Sequence, residues 1–128
     1  MATFPAVTGD VLTAAIFNGL PAFTVQTAKT ADYTAASGDE YQQLIPMNKA
    51  TAIAFKIPTD ATFAFPTGTV ITVLNIGVGT CTISATTSAT TTILSAGTVA
   101  AQPVLAQYKT AACIKTAVNA WYIVGAIA

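Results

Sequence analysis

Alternation of apolar and polar residues with a period of two recurs in short runs along most of this chain. It is clear over 52–57 and 80–85, where every second residue is apolar, and a similar alternation over 41–47 is interrupted only at Gln43. Because successive side chains of a strand point to opposite faces, the pattern predicts half-buried β-strands. Helical periodicity is almost absent from these stretches, so we expect seven to nine short strands and an all-β fold.

Turn residues separate the runs and suggest how the strands follow one another. Residues 69–76 are apolar on both faces, which is typical of a central strand. The Gly-Val-Gly sequence at 77–79 breaks that strand, and the run from Cys81 is expected to be its partner in a meander. Asn119-Ala120 separates two late strands, with Val118 before the turn, and predicts a C-terminal hairpin.

The 128 residues fit one domain. We therefore predict a single-domain antiparallel sandwich, jelly roll or short barrel over residues 24–128. A closed barrel is favoured because it has no free sheet edges, and edges that are poor in charge can pair with strands of other chains. The few charges that could guard the edges are Lys56, Asp60, Lys109 and Lys115.

Residues 1–23 differ from the rest and are predicted to be an apolar N-terminal arm. Thr13 could cap a short helical turn that ends at Gly19, and Pro21 prevents its continuation. The arm is too short to form its own core, so it must pack on its own domain, on a sister subunit or on the surface of another protein. We favour a surface outside the domain. The candidate interface residues are Phe4, Val11, Leu12, Ile16, Phe17, Leu20 and Phe23.

Charge is scarce throughout the chain. Only 8% of the residues are charged, against about 25% in an average soluble domain. No basic stripe points to nucleic acid, and no uninterrupted run of about 20 apolar residues points to a membrane span. Because interface cores are depleted of charge, we expect much of the surface to meet another protein. The alternative is a neutral, Thr-rich monomer.

The side chains that catalysis needs are mostly missing. The chain has no histidine, which removes the Ser-His-Asp and Cys-His arrangements. Asp39 and Glu40 are adjacent and would face opposite ways in an extended segment, so they make a poor carboxylate pair. Together with Asp32 they could contribute to a calcium site, but their spacing is nondescript. We predict a protein that is not an enzyme and that has no metal or cofactor.

Cysteines and aromatic residues each allow two interpretations. Cys81 and Cys113 are predicted to be reduced, buried thiols, and a bridge between neighbouring strands is the alternative. The aromatic residues are expected to pack in the core or across strands, whereas a carbohydrate-binding platform is the alternative. The four aromatic candidates are Tyr41, Tyr108, Trp121 and Tyr122.

From about residue 41 to the end, the chain resembles a β domain found in structural proteins of tailed phages. Residues 44–48 (Leu-Ile-Pro-Met-Asn) resemble the opening strand of that family, and 65–69 (Phe-Pro-Thr-Gly-Thr) resemble its Phe-Pro-x-Gly-Thr turn. Residues 77–83 resemble its Gly-x-Gly-x-x-Thr-Ile strand. Tyr108, Ile114-Lys115 and 121–128 resemble its last strands, although this chain lacks the charges that often surround the tryptophan.

The resemblance implies a virion structural protein. A small β domain with an apolar arm suits a capsid decoration (cement) protein, which assembles in the host cytoplasm and binds the major capsid protein on the outer surface of the particle. Such proteins are usually trimers, so the resemblance also implies a homotrimer. A tail-fibre, tail-tip or baseplate component is the alternative, and a carbohydrate-binding module is a further one.

Overall fold

The computed structural model describes residues 25–41, 44–96 and 102–127, which form nine strands and no helix. The all-β prediction is confirmed, and the strand count agrees with the expected range. The strands are β1 (Tyr33–Thr34), β2 (Leu44–Met47), β3 (Ile53–Ile57), β4 (Val70–Asn75), β5 (Cys81–Ala85), β6 (Thr92–Ser95), β7 (Val104–Leu105), β8 (Thr110–Ala117) and β9 (Ala120–Gly125).

The strands form two mixed sheets. Sheet A has the order β2-β4-β8-β9-β6, and sheet B has the order β1-β3-β5-β7. From β1 to β8 the chain alternates between the sheets, so consecutive strands are not neighbours. The antiparallel prediction is wrong, since β1–β3, β2–β4, β3–β5 and β6–β9 are parallel pairs. Neither sheet closes into a barrel within the described residues, and parallel pairs do not support a jelly roll, which is antiparallel.

Three of the four parallel pairs share the same offset along the chain. Leu44 pairs with Thr72, Ile53 with Cys81 and Thr92 with Ala120, and each partner lies 28 residues further along. In β2–β4 and β3–β5 the chain passes once through the other sheet and returns in the same direction, whereas β7, which follows β5 and β6, pairs antiparallel with β5. The predicted meander is therefore wrong: β5 lies in the opposite sheet from β4 and pairs with β3.

The loop after β4 lies directly on the loop after β2. A Cβ atom on Gly77 would overlap the backbone nitrogen and oxygen of Lys49, and one on Gly79 would overlap the carbonyl of Thr51. The backbone N–H of Gly79 donates to the Lys49 carbonyl at 3.0 Å. Only residues without a side chain allow two backbones to approach this closely, which explains the Gly-Val-Gly sequence.

Asn75, at the end of β4, fixes the same loop from inside. Its side chain is fully buried. The Nδ2 group donates to the carbonyls of Gly79 and Leu105 at 2.8 and 2.9 Å, and Oδ1 accepts from the Gly77 N–H at 3.1 Å. A buried amide with these partners satisfies backbone groups that would otherwise lack hydrogen bonds.

Two sequence predictions about individual strands are confirmed. β4 lies between β2 and β8, in the interior of sheet A, as its two apolar faces predict. β8 and β9 form an antiparallel hairpin whose turn contains Asn119 at a φ of 51°, a conformation that asparagine tolerates better than most residues.

Inward residues of both sheets form one core. Alternate positions of β3, β5, β8 and β9 are buried, and Trp121 packs edge-on to Phe65 with ring centroids 5.7 Å apart. The buried set joins the two sheets, so they stabilise each other by burying apolar surface. It comprises Ala35, Ile45, Met47, Ile53, Phe55, Ile57, Phe65, Ile71, Val73, Cys81, Ile83, Ile93, Leu105, Ala111, Cys113, Trp121 and Ile123.

Residues 25–41 belong to the β domain. Val25 and Lys29 form parallel bridges to Leu44 and Met47, at the β2 edge of sheet A, and β1 pairs with β3. The predicted arm, its helical turn and its seven candidate interface residues lie outside the described residues.

We expect Gly77→Ala to lower the free energy of unfolding by about 1–3 kcal/mol or more, because the added methyl group would overlap the Lys49 backbone. Urea unfolding followed by tryptophan fluorescence measures this change. Val78→Ala is the matched control, since Val78 is exposed and its truncation should change stability by no more than about 0.5 kcal/mol. Equal effects of the two variants would contradict the stacked loop.

Candidate interaction surface

The outer face of sheet A is uncharged and mostly apolar, with threonine at a few positions. Tyr122 and Val124 alternate with the buried Trp121 and Ile123, so they point away from the core. Their cross-strand partners continue two rows over the neighbouring strands. One row consists of Val70, Ile114, Tyr122 and Leu94. The other consists of Leu44, Thr72, Ala112 and Val124.

Several of these side chains remain open to solvent. Leu94 is 43%, Tyr122 46% and Val124 49% exposed. They line a groove of about 410 Å³ together with Ile127 and the backbone of Gly125. A contiguous apolar surface rimmed by polar residues is typical of a protein interaction site.

The outer face of sheet B has a different character. Its outward positions include Thr34, Lys56 and Ser84, which form one cross-strand row. Thr82 lies in the next row, between Ala54 and Val104. Because one face carries hydroxyl and charged groups while the other carries large apolar groups, the two faces are suited to different surroundings.

No charged residue occupies an outward position on the strands of sheet A. Lys29 lies over the Tyr33 ring, 4.3 Å from its centroid. Asp32 accepts a hydrogen bond from the Ala54 N–H at 2.9 Å. Lys29 and Asp32 thus make contacts with β1 and β3 of sheet B.

Asp39 is buried and organises the segment before β2. Its carboxylate accepts hydrogen bonds from the Gln26 amide at 2.7 Å, the Tyr33 hydroxyl at 2.8 Å and the Ala36 N–H at 2.8 Å. Burial, followed by the hydrogen bond and the charge of Asp39, raises the pKa of the Tyr33 hydroxyl. The carboxylate of Asp39 is thus occupied by three donors from its own segment.

Lys115 is the second buried charge, and the prediction that it guards a sheet edge is wrong. Its side chain is 3% exposed, and Nζ lies 2.9 Å from both carboxylate oxygens of Asp60 and 2.6 Å from the Phe65 carbonyl oxygen. The Asp60 N–H donates to the Asn119 side chain at 2.8 Å. These contacts tie the loop after β3 to β8 and its hairpin turn.

Both cysteines are buried and carry free thiols, so the predicted buried environment is confirmed. They come from opposite sheets: Cys81 from β5 and Cys113 from β8. Burial raises the pKa of the Cys81 thiol to about 11. Burial also raises the pKa of the Cys113 thiol, and the electrostatic interaction with the nearby Cys81 raises it further. Since the thiolate is the nucleophile, these thiols are unreactive near neutral pH.

The four aromatic candidates do not form one platform. Trp121 is buried, which confirms its predicted role in packing. Packing does not account for Tyr41 and Tyr108, which are 71% and 75% exposed. They lie at opposite ends of the β2–β4 pair, because Tyr41 precedes Leu44 whereas the Tyr108 N–H donates to the Asn75 carbonyl. Tyr122 belongs to the apolar face of sheet A.

Within the described residues, no three His, Cys, Asp or Glu side chains are grouped to hold a metal ion. The same part of the chain contains no helix that is long and apolar enough to cross a membrane. The chain matches no protein-family model, no curated protein and no solved structure.

Sequence reasoning placed the interface on the arm and missed the outer face of sheet A. A signal was present in residues 121–124 (Trp-Tyr-Ile-Val), which are apolar at every position. Such a strand carries apolar groups on both faces. The domain has one core to fill, and the exposed Tyr122 and Val124 show which face of the strand lies outside it.

We expect Asp60→Ala to destabilise the fold by about 3–5 kcal/mol, because it leaves the buried Lys115 ammonium without its carboxylate. Thermal unfolding monitored by circular dichroism measures the effect. The double variant Asp60→Ala/Lys115→Met should recover part of the loss, since it removes the uncompensated charge. A double variant that is less stable than Asp60→Ala would contradict this assignment.

Proposed function

We propose that this protein is a non-enzymatic structural subunit that assembles with copies of itself through the apolar outer face of sheet A. The observation that carries the proposal is the pair of uncharged cross-strand rows over sheet A, with Leu94, Tyr122 and Val124 open to solvent. Full burial of such side chains contributes about 1.5–3 kcal/mol each. These side chains are already about half buried, so covering them in an oligomer contributes part of that amount toward the cost of association.

The particle to which the subunit belongs is proposed to be a tailed phage. The support is the sequence resemblance over 41–128 together with the scarcity of charge. Within that setting the chain acts as a capsid decoration protein, a homotrimer that binds the major capsid protein on the outside of the particle and stabilises it. A domain of two sheets whose sequence begins with an apolar segment suits this role.

We expect the full-length protein to have about three times the 13.0 kDa chain mass in multi-angle light scattering. The variant Tyr122→Lys/Val124→Lys should lower this mass toward that of one chain, because an unpaired lysine in an apolar interface is costly to bury. Ser84→Lys, on the outer face of sheet B, is the matched control and should leave the mass unchanged. A wild-type protein that is monomeric at high concentration would contradict the proposal.

The virion role is tested by counting copies of the chain per purified particle through quantitative mass spectrometry. A decoration protein repeats over the capsid lattice, so we expect copies on the order of hundreds. A handful of copies would assign the chain to the tail fibre, tail tip or baseplate instead. Detection only outside particles would contradict the virion role.

A further inference from the structure

We propose that residues 1–24 of one copy bind the apolar groove at the β6 edge of sheet A in the neighbouring copy. This inference rests on the proposed self-assembly and names the segment that joins the copies. It combines the chemistry of the groove, the composition of the segment, and the positions of the two on opposite edges of one sheet.

The groove provides an uncharged site of defined shape. Leu94 from β6 and Tyr122 from β9 are direct cross-strand partners and stand side by side. Val124 and Ile127 continue the lining toward the end of the chain. A volume of about 410 Å³ is large enough for two or three apolar side chains and lies in the range of ordinary ligand pockets.

The segment before Val25 matches this chemistry. Asp10 is its only charged side chain, and it contains large apolar residues in a stretch with few other bulky groups. A segment of this kind is stabilised by apolar contact and would not impose an unpaired charge on the groove. The residues available for docking are Phe4, Val11, Leu12, Ile16, Phe17, Leu20 and Phe23.

The topology places the origin of the segment and the groove on opposite edges of sheet A. Val25 bridges Leu44 at the β2 edge, whereas Leu94 lies in β6 at the other end of the strand order. Four spacings of about 4.8 Å separate these edges, roughly 19 Å in all. A segment of 24 residues extends up to roughly 80 Å, so it can reach a neighbouring copy.

An exchange of this kind is a head-to-tail contact. Each copy supplies a segment from its β2 edge and accepts one at its β6 edge, so the two contacting surfaces differ. Heterologous contacts generate rings when the rotation between copies closes. Three copies joined in this way would leave no segment and no groove without a partner, in agreement with the proposed trimer.

The test is photo-crosslinking of the full-length chain with benzoylphenylalanine at Tyr122 and, in a second protein, at Leu94. Lys29 is the first lysine and the chain has no arginine, so trypsin releases residues 1–29 as one peptide. We expect the crosslink to join this peptide to the labelled strand in a band of about twice the 13.0 kDa chain mass. Benzoylphenylalanine at Ser84 is the control and should not crosslink to it.

The outcomes separate this inference from the proposed self-assembly. A crosslink to residues 1–29 within a 13.0 kDa band would mean that the segment covers its own sheet, and would overturn the exchange. Crosslinks only to other peptides, or none at either position, would overturn it as well. If light scattering still gives a trimer, self-assembly stands without the exchange; if it gives a monomer, both fail.

Discussion

The close stacking of two loops, 76–80 upon 48–52, is the constraint on which the architecture depends. Gly77 and Gly79 allow the two backbones to come into contact. The buried side chain of Asn75 forms hydrogen bonds with the backbone groups of Gly77, Gly79 and Leu105. Once these loops are in contact, the strands before and after them must run parallel, because β2 and β4 enter the stack from the same side. The register of the β2–β4 and β3–β5 pairs, which flank the two loops, agrees with this contact.

Buried polar groups hold two further parts of the chain in place, the segment before β2 and the loop after β3. Asp39 gathers the segment before β2, and the Lys115–Asp60 pair holds the loop after β3 against β8. Each buried charge is satisfied by several partners, as a low-dielectric interior requires. The Lys115–Asp60 pair determines where the loop after β3 lies more than it adds to the net stability, since apolar replacements of a buried ion pair are often equally stable.

The scarcity of charged residues also determines the character of the surface. Few ionised groups exist, and those of the described chain lie in loops, in the interior or near sheet B. The outer face of sheet A is left with Tyr122, Val124 and their cross-strand neighbours. A sheet that is apolar on both faces has one core inside the domain and a second apolar surface, which the proposed self-assembly would cover.

The sequence by itself determined the all-β class, the approximate strand positions, the C-terminal hairpin and the burial of both cysteines, because alternation and turn chemistry are local properties. Sheet membership and strand direction were decided by tertiary structure. Antiparallel neighbours were expected since sequential strands often pair, yet the contact between Gly77 and Lys49 depends on residues far apart along the chain. The burial of Lys115 and the exposure of Tyr122 were likewise decided by the partner that each side chain meets across the fold, which no local pattern encodes.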